Sequence, residues 1–122
     1  MPYKKKSRIL ENPKNCPLIY TINLISGKWK LPILWILMNN GVMRFNELKR
    51  NIAGITNMML TQSLQEMQAD GLVERAPYME VSARVEYSLT ETGKALIATF
   101  EEVTKWGVEQ MKEKNIQCGI SQ

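Results

Sequence analysis

Residues 43–67, "MRFNELKRNIAGITNMMLTQSLQEM", leave few options for the fold. Phe45, Leu48 and Ile52 recur at helical spacing, and so do Leu60, Leu64 and Met67. Between the two series lies "AGIT", whose Gly54 suits a turn and whose Thr56 suits a helix N-cap. The spacing predicts helices at about 44–51 and 57–69 joined by a short turn, the layout of a helix-turn-helix. Each helix has a single apolar stripe, so the pair needs cover from elsewhere in the chain.

The flanking sequence supplies that cover. Pro17 suits a first helical position with Cys16 as N-cap, and Gly27 ends a helix at 17–25 carrying Leu18, Ile19, Ile22 and Ile25. A second helix at about 28–39 presents Trp29, Ile33, Ile36 and Leu37, with Pro32 tolerable in its first turn. After Gly71 the period changes. "LVERAPYM" and "RVEYSL" are rich in β-branched and aromatic residues, and the second alternates Val85, Tyr87, Leu89 against Arg84, Glu86, Ser88. Pro77 marks an edge strand, "EVSA" the tip of a hairpin at 72–89, and Thr90 the cap of a last helix at 91–113. The fold class expected is mainly α with a small β-hairpin: a winged helix-turn-helix flanked by N- and C-terminal helices. It occupies 14–113, with a basic arm at 1–13 and a tail at 114–122.

Composition narrows the chemistry. The chain has 122 residues, enough for one domain. Sixteen Lys and Arg against twelve Asp and Glu give a net charge of +4, a mild excess compatible with a polyanionic partner. There is no histidine, which removes Ser–His and Cys–His nucleophile pairs and the usual imidazole metal ligands. No glycine-rich phosphate cradle occurs, and Cys16 and Cys118 are too few and too far apart for a zinc site. Neither a cofactor nor a metal nor enzymatic activity is expected. No apolar run approaches the ~20 residues of a membrane span, and "MPYKKKSRIL" lacks the apolar core of a secretory signal. A cytoplasmic location without disulfides is the expectation.

The residues also carry a family likeness. The chain resembles the HxlR-type winged helix regulators of bacteria, relatives of the MarR type. The likeness rests on "CPLIYTINLISGKWKLPILWIL", "RFNELKRNIAGITNMMLTQSLQEMQADGLVER" and "RVEYSLTETG" in that order, plus a tryptophan in the last helix, over about residues 16–110. The resemblance implies a homodimer that binds palindromic operator DNA and controls transcription. It also implies, for some members, a cysteine near the first helix that senses oxidants or electrophiles. Two departures stand out: the hairpin tip reads "EVSARVEYSLT" without the usual prolines, and Met58 occupies a place where relatives often carry Lys or another polar residue.

Within that frame the helix at 57–69 is the candidate reader. Its outer face carries Met58, Thr61, Gln62 and Gln65, with no charge before Glu66. Glutamines can bond adenine in bidentate fashion, threonine serves several bases and a methionine packs on a thymine methyl. Asn57 stands at the helix start, within reach of a phosphate or a base. The alternative is a solvated polar face with no ligand. Phosphate contacts are assigned to Arg44, Lys49, Arg50 and, at the wing, Arg84. Arg44 could instead pair with Glu47, and Arg75 with Glu86 across the hairpin.

The last helix would be about 34 Å long, with apolar residues over about 200° of its circumference, roughly twice a core stripe. Phe100, Val103, Trp106 and Met111, with Leu18, Ile19 and Ile22 of the first helix, are the expected dimer interface. A two-fold dimer would set two reading helices about one DNA turn apart. Cys16, at a helix N-terminus where peptide dipoles favour an anion and near Lys14 and Lys28, is the candidate sensor. Two other functions fit the same pattern: a winged-helix module that binds protein, and a regulator gated by a small molecule held among Trp29, Trp35, Trp106 and Met111.

Overall fold

The computed structural model describes residues 16–78 and 84–117, and among these described residues six helices and three strands are formed. Helix α1 is Pro17–Ile25 and α2 is Lys30–Asn40. Strand β1 (Met43–Arg44) leads into α3 (Phe45–Asn51), and α4 is Asn57–Ala69. Strands β2 (Val73–Tyr78) and β3 (Arg84–Leu89) form the wing, followed by α5 (Glu91–Lys94) and α6 (Ile97–Glu113). The tip of the hairpin, the basic arm and Cys118 lie outside the described residues.

The core is the meeting point of the apolar stripes read from sequence. Ile33, Leu34 and Leu37 of α2 pack with Leu48 of α3 and with Leu60, Leu64 and Met67 of α4. All seven are at most 1% exposed. Burying each such side chain contributes roughly 1.5–3 kcal/mol. Three of them therefore hold α4 against the body and leave its opposite face to solvent.

Local signals set the ends of α4. Thr56 Oγ1 accepts from the Met59 amide at 3.1 Å, satisfying one free N–H of the first turn. At the other end Leu72 N donates to Met67 O (2.9 Å) and Gly71 N to Gln68 O (3.1 Å). Gly71 has φ +79°, so this is a Schellman ending that only a residue comfortable in the left-handed region supports. Leu72 and Met67, which flank the reversal, are both buried.

Three differences from the sequence reading have physical causes. First, the sheet has three strands in the order β1-β3-β2, not two. The dipeptide Met43–Arg44 pairs with Tyr87 and Glu86 of β3, so Arg44 is strand and N-cap, and α3 starts at Phe45. A two-residue strand has no readable period; only its long-range partner defines it. Second, α2 begins at Lys30, because residues 26–29 form the turn out of α1. Third, the last helix is broken. Thr90 caps α5 through its bond from Gly93 N (2.9 Å), and it is tied to the end of α4 by Oγ1 to Gly71 O (2.6 Å) and by N to Leu72 O (3.0 Å). Leu96, Ile97 and Phe100 pack on the core in a different direction. The chain turns at Ala95 and Leu96 through a tightened Leu96 N to Gly93 O bond (3.1 Å).

The register of β2 and β3 also sets which residues share a face of the wing. Arg75 lies opposite Tyr87, and Glu86 lies opposite Ala76 and, across β1, opposite Arg44. Arg75 and Glu86 therefore point to opposite faces of the sheet and are not the direct cross-strand neighbours that the sequence reading allowed for.

Candidate nucleic-acid interface

The N-terminal two turns of α4 protrude. Asn57, Met58, Thr61, Gln62 and Gln65 are all exposed, Met58 at 76%, and together they line one shallow depression. The helix puts them there because Leu60, Ser63, Leu64 and Met67 take the buried side. A polar, uncharged surface with one exposed thioether matches the edges of bases better than the phosphates that flank them.

Beyond Gln62, toward the C-terminus, the structure adds a feature with no sequence signal. Glu66 Oε1 is 2.9 Å from Lys30 Nζ of α2, and Gln62 Nε2 donates to Glu66 Oε2 at 3.3 Å. The Lys30 hydrogen bond, the Gln62 hydrogen bond and the Lys30 charge, in that order, hold the Glu66 carboxyl below the usual carboxylate range. Lys30 and Glu66 are 36 positions apart, and no local pattern links them. A second depression, lined by Lys28, Trp29, Lys30, Met59, Ser63 and Glu66 among others, lies on this side, and Gln62 borders both.

The cationic residues assigned to phosphates lie on β1, α3 and the start of β3. Arg44 and Arg50 are exposed and Lys49 is half-buried. Lys49 and Arg50 occupy the last turn of α3, where positive charge complements the helix dipole. At the other end of α3, Glu47 Oε1 accepts from the Arg44 backbone amide at 2.9 Å, a capping contact rather than an ion pair with its guanidinium. Arg84 enters the structure through its backbone, paired with Tyr78; its side chain is outside the described set. Trp29 packs on the core beside Gly54, whose φ of +84° shapes the turn into α4, and Lys28 Nζ stands 4.9 Å from the Trp29 ring centre.

The expected dimer residues divide into two sets. Leu18 (64% exposed), Ile22 (43%), Val103 (61%) and Trp106 (65%) are exposed large apolar side chains. Phe100, by contrast, packs partly on its own core, and Ile19 and Met111 are half-buried. Neither α1 nor α6 contains a single buried residue. Cys16 is the N-cap of α1, with Pro17 at the first helical position. It is a free thiol, 6% exposed. Among the described residues no His, Cys, Asp and Glu group is arranged to hold a metal, and no helix is long and apolar enough to cross a membrane.

Helix α3, the Gly54 turn, the exposed α4 and the hairpin directly behind it define a winged helix-turn-helix transcriptional regulator. The match to the family model for HxlR-like helix-turn-helix proteins spans residues 24–115, and the chain belongs to that family. An HTH-type transcriptional regulator of Halalkalibacterium halodurans is 44% identical over 107 residues, covering 88% of this chain and 92% of the relative. Among solved structures, the redox regulator HypR in its reduced form superposes with TM-score 0.72 at 41% identity, covering 79% of this chain and 93% of that one. The reduced form of YodB from Bacillus subtilis gives TM-score 0.67 at 36% identity, covering 75% and 89%. All three relatives are regulators by name.

Proposed function

We propose that the chain acts as a homodimer that reads a palindromic operator in the major groove through Asn57, Met58, Thr61, Gln62 and Gln65. The observation that carries this reading is the exposed, uncharged depression formed by those five residues on a helix whose other face is anchored in the core. Arg44, Lys49, Arg50 and Arg84 hold the phosphates on either side and supply most of the affinity. The uncovered apolar residues of α1 and α6 support the dimer: Leu18, Ile22, Val103 and Trp106 form the kind of surface that soluble monomers rarely leave open.

Selection of bound sequences from random duplex DNA by the purified, reduced chain tests the proposal. The expected result is an inverted repeat with half-site centres about one turn apart, 10–10.5 bp. No enrichment over scrambled competitor overturns it, and binding to protein but to no duplex points instead to an interaction module.

An oxidant or electrophile response through Cys16 is the regulatory part of the same reading. HypR is known in reduced and oxidised forms and YodB in reduced and diamide-treated forms. Here Cys16 opens the very helix that carries Leu18 and Ile22, so adding bulk to its sulfur displaces the proposed dimer surface. Diamide weakens operator binding by the parent and not by Cys16→Ser. An equal response in both rules out this thiol as the sensor.

A further inference from the structure

The Lys30–Glu66–Gln62 chain bears on specificity, since Gln62 sits at the middle of the proposed reading face. An ionised carboxylate only accepts hydrogen bonds. Of the two ends of the Gln62 amide, only the Nε2 end can face Glu66; the reverse orientation would set two acceptors against each other. Lys30 reinforces this. It reaches over from α2 with its side chain only 14% exposed, and it keeps Glu66 charged and in place.

We infer that Lys30 and Glu66 are positioning residues that lock the Gln62 amide, so that its carbonyl oxygen leads toward the DNA and the base it faces is one with an exocyclic amino group. Adenine N6 and cytosine N4 offer that donor in the major groove. Guanine and thymine present only acceptors at the corresponding edge. An unrestrained glutamine would satisfy either kind by flipping its amide, whereas this one has to break its bond to Glu66 first. The inference rests on the DNA-reading proposal above and deepens it at one position of each half-site.

The test first compares the parent with Gln62→Ala, Glu66→Ala and Lys30→Met on the selected operator and on its single-base variants. Gln62→Ala flattens the preference at one position per half-site. Glu66→Ala and Lys30→Met flatten the same position, lowering the ratio of best to worst base roughly three- to tenfold. Other positions keep their preferences. Overall affinity moves in opposite senses in these two variants, because one removes a negative charge near the phosphates and the other a positive charge. A shared loss of base preference is therefore not a charge effect. The double variant Glu66→Ala/Gln62→Ala loses no more than Gln62→Ala alone, and Lys30→Arg, which keeps the cation, restores the parent profile.

The inference is overturned if Glu66→Ala leaves the base profile unchanged, if it flattens every position alike, or if the parent prefers guanine or thymine at the Gln62 position. Its failure is separable from that of the broader proposal. A parent that selects a palindrome while Glu66→Ala selects the same one sinks only the amide lock. A parent that selects nothing sinks both.

Discussion

Gly93 lies beneath the Leu72 carbonyl, and replacing it with alanine sets two effects against each other. Gly93 is helical with no positive φ, so by propensity alone alanine should stabilise α5 by about 1 kcal/mol. Packing says the opposite. A Cβ there would overlap the Leu72 carbonyl oxygen, stand 3.2 Å from the Leu72 carbonyl carbon and 3.4 Å from Leu89 Cβ. The obstacle is backbone, and it is backbone already in use. Leu72 N closes the end of α4 on Met67 O (2.9 Å), and Leu72 O accepts from Thr90 N (3.0 Å). Overpacking typically costs about 1–3 kcal/mol, and weakening one or both bonds adds about 1–2 kcal/mol. Against the gain in propensity, the net is a destabilisation of about 2–3 kcal/mol. Urea unfolding followed by tryptophan fluorescence measures it, at one fixed protein concentration because association contributes to apparent stability. The midpoint of Gly93→Ala falls by about 1 M with an unchanged m-value. A midpoint equal to or above that of the parent would mean that propensity wins and that the close approach of α5 to the end of α4 is wrong.

Three further outcomes are expected. Trp106→Glu places a charge at a residue 65% exposed on α6; light scattering at micromolar concentration should show the monomer mass, while a parent already monomeric would refute the dimer. Arg50→Ala lowers operator affinity for all sequences alike and reduces the slope of log K against log salt by about one; an unchanged slope removes Arg50 from the phosphate contacts. Glu66 has a depressed carboxyl pKa in the folded chain, so its pairing with Lys30 is complete above the usual carboxylate range and is lost only as the pH falls through the lowered value. The Gln62 side-chain amide resonances shift with that titration, and amide signals that follow an ordinary glutamate curve would contradict the pairing.

The likeness of this chain to winged regulators was readable because its main elements announce themselves over short distances. Leu60, Leu64 and Met67 mark the buried side of α4 from spacing alone, and Thr56, Gly71 and Thr90 mark its start, its end and the next helix through bonds that span only a few residues. The outer face of α4 followed by subtraction, since a helix anchored on one side must expose the other.

What local pattern could not reveal was whatever depends on a partner far along the chain. Met43–Arg44 becomes a strand only because β3 passes beside it, and the last helix breaks because α5 is fastened to Gly71 and Leu72 while Phe100 reaches for the core. Lys30 meets Glu66 across 36 positions only after α2 and α4 have packed. A sequence records backbone preference and apolar period at each site, whereas hydrogen bonds between distant segments exist only once the apolar stripes have collapsed together. The position of the proposed reading face is thus written in residues 56–71, whereas the Lys30–Glu66–Gln62 contact beside it exists only in the fold.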